Sequence, residues 1–115
     1  MTEAQEQATV IQYCDLRRIL VFAIPNGGFR NTAEAAKLKW QGVRPGVPDL
    51  FIPVQRGGYG GLFIEMKRAD GKPSDITKEQ REWLERLNDN GYMATVCFGF
   101  EDAIRTIDGY LKHFF

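Results

Sequence analysis

Along residues 2–18 the apolar positions fall at helical spacing, with Ala4, Ala8, Ile11, Cys14 and Leu16 forming one stripe between polar residues. Thr2 stands where a helix N-cap is expected, and Glu3 and Glu6 occupy the first turn, where the helix dipole favours acids. The rhythm then changes. Residues 19–24 form a short apolar strand, ended by Pro25-Asn26-Gly27-Gly28, a composition that makes turns. A second helix is predicted over 31–40, capped by Asn31 or Thr32, with Ala33, Ala35, Ala36 and Leu38 inside. Two compact apolar runs follow, 49–54 and 61–67, joined by Gln55-Arg56-Gly57-Gly58-Tyr59-Gly60, and they read as a β-hairpin. After a polar loop, residues 77–90 carry Trp83, Leu84 and Leu87 on one face of a long helix that Gly91 ends. Residues 92–98 are a buried strand, and 100–115 an amphipathic helix with Ala103, Ile104, Ile107, Tyr110 and Leu111 inward.

Helices alternating with strands in this order predict an α/β fold, a mixed β-sheet flanked by helices. The strand after the long helix should pair in parallel through a right-handed crossover. At 115 residues the chain holds one core, so residues 1–115 are read as a single domain. Fifteen basic and fifteen acidic residues cancel, which excludes a polycation that coats nucleic acid wholesale. Binding depends on where charge lies, however, and a site holding carboxylates offsets its own basic residues. Cys14 and Cys97 are too few for a disulfide framework or a zinc site and read as reduced core residues. His113 is the only histidine and lies at the end of the chain, which removes His-based nucleophilic catalysis. No apolar run approaches the ~20 residues of a membrane span. The polar, acidic start has no signal-peptide character, so a cytoplasmic protein is expected.

The charges of the hairpin stand out against this background. Asp49 opens the first strand; Glu65 and Lys67 lie two apart in the second, so their side chains leave one face. Antiparallel pairing would bring all three together on a sheet otherwise made of Leu, Phe, Ile and Val. Each loses hydration there. A salt bridge at a strand end is the plain explanation. The order Pro48-Asp49 followed by Glu65-x-Lys67 instead resembles the PD-(D/E)xK nuclease motif. The flanking words Gly46-Val47-Pro48-Asp49-Leu50, Phe63-Ile64-Glu65-Met66-Lys67 and Ile24-Pro25-Asn26-Gly27-Gly28 are similar to those of the virus-type replication-repair nuclease (VRR-NUC) family, and the resemblance covers nearly the whole chain.

The resemblance implies a restriction-endonuclease-like core and phosphodiester hydrolysis with Mg²⁺ or Mn²⁺. Asp49 and Glu65 would be the metal ligands, with the backbone carbonyl of Met66 as a third, and Lys67 would act on the attacking water or on the developing phosphate charge. It also implies that an acid on the first helix points into the site. Glu3 with Gln7, one turn apart, matches that pair, and Glu6 is the rival. Gln80 has two readings. With Thr77 it has the spacing of a capping box, and by resemblance it is the Gln that points at the site; one side chain would not do both at once.

Asn26, Gly27 and Gly28 are read either as a phosphate-contacting turn or as a plain one. Arg30, Lys37, Lys39 and Arg44 form a basic run leading into Asp49, either a solvated face or a contact to the DNA backbone. Trp40 reads as core more readily than as a base-stacking residue. The family implies branched or flapped DNA as substrate and a homodimer as the working unit. Phe98, Phe100, Phe114 and Phe115 serve either that interface or the core. Two other classes compete: a catalytically inactive DNA-binding module of this fold, and a small metabolic or regulatory α/β protein whose triad is only a salt bridge.

Overall fold

Among the described residues four strands form one sheet in the order β1-β2-β3-β4. The structure, a computed structural model, describes residues 1–25 and 31–112. Asn26, Gly27, Gly28 and Arg30 of the expected phosphate turn and basic run therefore lie outside the described residues, as do His113, Phe114 and Phe115. In chain order the elements are α1 (Glu3–Leu16), β1 (Phe22–Ala23), α2 (Thr32–Trp40), β2 (Leu50–Ile52), β3 (Leu62–Lys67), a single 3-10 turn (Pro73–Asp75), α3 (Lys78–Asp89), β4 (Met93–Phe98) and α4 (Phe100–Leu111). β1, β2 and β3 are mutually antiparallel; β4 returns through α3 to run parallel to β3. The α/β class and the mixed sheet flanked by helices are as the sequence pattern led us to expect.

The strands are shorter than their apolar runs. Pro48 and Pro53 bracket β2, and Pro53 has no N–H to give the ladder, so the expected strand over 49–54 closes to three residues. β1 can pair only with that short strand and shrinks to two residues, both exposed. The hairpin turn narrows to a bridge between Arg56 and Tyr59 across Gly57-Gly58.

Period-two alternation divides the sheet into two faces. Leu62, Ile64 and Met66 of β3, with Leu50 and Ile52 of β2 and Cys97 of β4, face α1 and α4 and form the core with Val10, Cys14, Ala103, Ile107 and Tyr110. The intervening positions of β3, Phe63, Glu65 and Lys67, leave the other face. There Phe63 stacks on Phe51 at 4.1 Å between centroids, and Tyr92 meets both edge-on. α3 covers the β4 side of this second face, with Trp83, Leu84 and Leu87 only half-buried. Burial pushes the thiols of Cys14 and Cys97 up to about 11, as befits reduced, inert core residues.

Two helical stripes differ from expectation. On α1 the buried residues are Glu6, Val10 and Cys14, while Ala4, Ala8 and Leu16 are exposed and Ile11 is half-buried. The true stripe runs at every fourth residue and includes an acid, which a hydrophobicity pattern assigns to solvent. On α2 no residue is buried: Ala33 and Ala36 are exposed, Ala35 and Leu38 half-buried, and Trp40 is 86% exposed rather than core. The helix is held by its own backbone and by Asn31, whose side chain accepts from Glu34 N–H at 2.7 Å.

Candidate functional site

The hairpin register pairs Leu50 with Ile64, which sets Asp49 across from Glu65 at the end of β2. Asp49 is then fixed by the strand beside it: its Oδ2 accepts the backbone N–H of Met66 at 2.7 Å. The loop before it is held from the opposite side. Gly46 has φ +88, and a Cβ there would sit 2.6 Å from the backbone carbon of Glu79 and 2.8 Å from Gln80 N. Only glycine lets this loop lie against the first turn of α3. Asp49 is thus held by a hydrogen bond from the β3 backbone, and the loop that leads to it lies against the first turn of α3 at Gly46.

Glu65 is 3% exposed. Burial and then the neighbouring Asp49, through its charge and a hydrogen bond, push the Glu65 carboxyl up to about 9; Lys67 opposes the shift and Glu3 adds to it. Glu65 is thus held toward its protonated form by burial and by the Asp49 carboxyl beside it. Lys67, 7% exposed, follows on the same face. Among the described residues the ion pairs are Arg68–Asp70, Lys78–Glu82 and Asp102–Arg105, and none involves Lys67. Glu65 feels the ammonium, yet the two form no ion pair among the described residues.

Gln80 corrects the either-or reading. Its Oε1 accepts Thr77 N–H at 2.9 Å and completes the capping box of α3, while its Nε2 donates to Glu65 Oε2 at 3.3 Å. An amide has two ends, and the helix start lies near enough to the sheet for both to be used.

Glu3 lines a cleft of about 390 Å³ with Lys67, Arg68, Asp70, Gly71 and Asp75. Glu6, its rival, does not enter this cleft. Its Oε2 accepts Ala69 N–H at 3.0 Å and its Oε1 accepts Phe100 N–H at 3.1 Å, so its carboxylate is committed to backbone donors. Gln7 is half-buried on α1. Lys37, Lys39 and Arg44 lie on α2 and just beyond it, with the Arg44 guanidinium donating to Lys39 O at 3.3 Å. Arg68, Asp70 and Asp75 line the cleft without having been singled out from sequence. The one local signal was the Lys72-Pro73-Ser74-Asp75 turn, in which Asp75 accepts Lys72 N–H at 2.8 Å.

The donor chemistry fits a hard divalent cation. Asp49 and Glu65 offer oxygen ligands held by strands, and a bound cation would offset the burial that disfavours a charged Glu65. Among the described residues no three His, Cys, Asp or Glu side chains converge as a ready cage. Mg²⁺ takes one or two carboxylates and fills its remaining positions with water and phosphate, a number that Asp49 and Glu65 match.

Comparison with known proteins agrees. No curated protein matches the chain. A solved structure described as "VRR_NUC domain protein" superposes with a TM-score of 0.83 at 33% identity, over 97% of this chain and 89% of that one. The VRR-NUC domain profile matches residues 2–101, which include every element that builds the site. The chain therefore belongs to the VRR-NUC family, nucleases of the PD-(D/E)xK type.

Proposed function

We propose that this protein is a Mg²⁺- or Mn²⁺-dependent DNA endonuclease that hydrolyses phosphodiester bonds in branched DNA, with residues 1–115 working as one domain. The observation that carries the reading is the buried Glu65 carboxyl set across the hairpin from Asp49, with the buried Lys67 beside it and free of any ion pair among the described residues. Asp49, Glu65 and the Met66 carbonyl would hold the metal, which when bound supplies charge neutralisation at the phosphate and a more acidic water. The chain's own residues do the rest. Asp49 is anchored to Met66 N–H, so it presents its other oxygen in a fixed direction. Gln80 donates to Glu65 and restricts the rotation of that carboxylate. Lys67 orients the attacking water or stabilises charge on the phosphate oxygens. Glu3 lines the same cleft as Lys67 and would bind a second metal or a water. Gln7, Lys37, Lys39 and Arg44, with Asn26, Gly27, Gly28 and Arg30, would contact the DNA backbone.

A homodimer is the proposed working unit, and the exposed Leu16, Leu20, Phe22 and Trp40 are apolar surface available to a second copy. The test is cleavage of a labelled four-way junction, a flap and plain duplex with Mg²⁺ or Mn²⁺ against EDTA, wild type beside Lys67→Ala. Metal-dependent cutting of the junction, lost in the variant, is expected. Cutting of the flap alone would keep the chemistry and change the substrate. DNA binding without any cutting would make this an inactive module of the fold.

A further inference from the structure

We infer that Glu6 is a positioning residue that sets Lys67, and with it Glu3, at the candidate site. The inference rests on the nuclease reading for its functional meaning and on geometry for the rest. Glu6 is 2% exposed, and its two carboxylate oxygens bind two segments far apart in sequence: Ala69 N–H, two residues past Lys67, and Phe100 N–H, the first residue of α4. The N-cap of α4 is Gly99, which has no side chain to accept from the helix start. Glu6 supplies that acceptor from another helix, and its negative charge meets the positive end of the α4 dipole. The same knot closes on Lys67 directly, because Gly99 N–H donates to Lys67 O at 2.8 Å. Its tightness is visible at Gly99, where φ is +88 and a Cβ would lie 2.8 Å from Ala69 Cβ and 3.2 Å from Glu6 Oε2.

Three segments are thus tied at one carboxylate: α1, the end of β3 and the start of α4. Lys67 cannot shift along β3 without pulling Ala69 from Glu6 or Gly99 from the Lys67 carbonyl. Glu3 lies one turn before Glu6 on the same helix, and it lines the cleft with Lys67. Anchoring α1 at Glu6 therefore sets the Glu3–Lys67 spacing in that cleft. Glu6 does not line the cleft; it acts through the backbone it holds.

The test compares Glu6→Gln with Tyr13→Phe in the full chain. Glu6→Gln keeps one acceptor oxygen but turns an NH₂ toward an amide donor, so one of the two backbone bonds is lost. Tyr13→Phe is the control. It removes a different tie between α1 and α4, the Tyr13 hydroxyl donating to Asp108 at 2.7 Å, and leaves the Lys67 knot intact. The first readout is amine acetylation of Lys67 against the exposed Lys112, read by mass spectrometry without metal or DNA. The second is kcat and KM on whichever DNA the wild type cuts.

Glu6→Gln is expected to raise Lys67 labelling relative to Lys112. It should also lower kcat by about ten- to a hundredfold with KM nearly unchanged, the scale that a misplacement of about 1 Å produces. Tyr13→Phe should lower the melting temperature and change neither readout. If Glu6→Gln fails to fold, Gly99→Ala strains the same knot from the α4 side and must give the same labelling change. Equal labelling in both variants, or wild-type kcat in folded Glu6→Gln, overturns the inference. A wild type that cuts no DNA refutes the nuclease reading instead, and labelling still decides whether Glu6 holds Lys67 in place.

Discussion

Replacing Glu65 with glutamine should stabilise the metal-free protein, and the size of the gain follows from the state of the carboxyl pair. Folded Glu65 holds its proton up to about pH 9, whereas an ordinary glutamate lets go near 4.5. Between those values the folded state binds one proton more than the unfolded chain, so stability falls as pH rises through the window. Each pH unit is worth at most about 1.4 kcal/mol, which makes the loss at pH 7 on the order of 1 to 3 kcal/mol once residual solvation and the coupling to Asp49 are allowed for. The glutamine side chain would copy the protonated acid: its amide donates toward Asp49, and its oxygen still accepts from Gln80. Glu65→Gln should therefore be more stable than wild type at pH 7 by roughly that amount, a rise of about 4 °C in melting temperature for each kcal/mol. The difference should vanish near pH 4.5 and widen toward pH 8. The assay is urea unfolding in EDTA across a series from about pH 5 to about pH 8 for both proteins, a range inside the window where the two protonation states differ. Mg²⁺ at about a hundred times its dissociation constant should add about 2.7 kcal/mol to wild type, flatten its pH slope, and do little for the variant. A Glu65→Gln protein that is no more stable than wild type at neutral pH and above, with the same slope, would refute a Glu65 that stays protonated in the folded protein.

Two further substitutions probe the supports of the site and of the sheet. Gln80→Ala removes the side-chain half of the α3 capping box and the donor to Glu65 together, so it should cost about 1 kcal/mol in denaturant unfolding and weaken Mg²⁺ binding in calorimetry. Unchanged metal affinity would show that the Glu65 contact is incidental. Asn88 both accepts Ala94 N–H at 3.0 Å and donates to Ala94 O at 2.9 Å, closing the backbone of the edge strand β4. Asn88→Ala should cost about 1 to 3 kcal/mol and increase concentration-dependent aggregation measured by light scattering; a fully monodisperse, equally stable variant would contradict that role.

The hairpin and the meeting of its charged residues were legible because they depend on local rules. Period two puts Glu65 and Lys67 on one face, and antiparallel return brings Asp49 to them; neither inference needs the rest of the fold. The Thr77 cap was legible for the same reason. What escaped depends on contacts between segments far apart in sequence. Glu6 reads as a first-turn acid or as Glu3's rival at the site, and only the amides of Ala69 and Phe100 show it as a buried anchor on a stripe that leaves out Ala4 and Ala8. On α2 the alanines favour a helix but say nothing of a partner, so Ala33, Ala36 and Trp40 were assigned to an interior that the helix does not reach. Strand lengths failed where Pro53 ends the ladder inside an apolar run. Gln80 was read as a choice because a sequence names a residue once, although its side chain has two working ends.

The alternation along β3 carries a consequence for how this chain can change over time. Leu62, Ile64 and Met66 answer to the interior, while Glu65 and Lys67 face the candidate site, and one strand register serves both. A slip of one residue would carry the charges into the apolar interior and leave aliphatic side chains on the other face, so the fold and the candidate site would be lost together. Substitutions at single positions can drift within either set without disturbing the other. Insertions and deletions in β3 cannot, and a descendant that keeps the interior of this strand inherits the spacing of Glu65 and Lys67 with it.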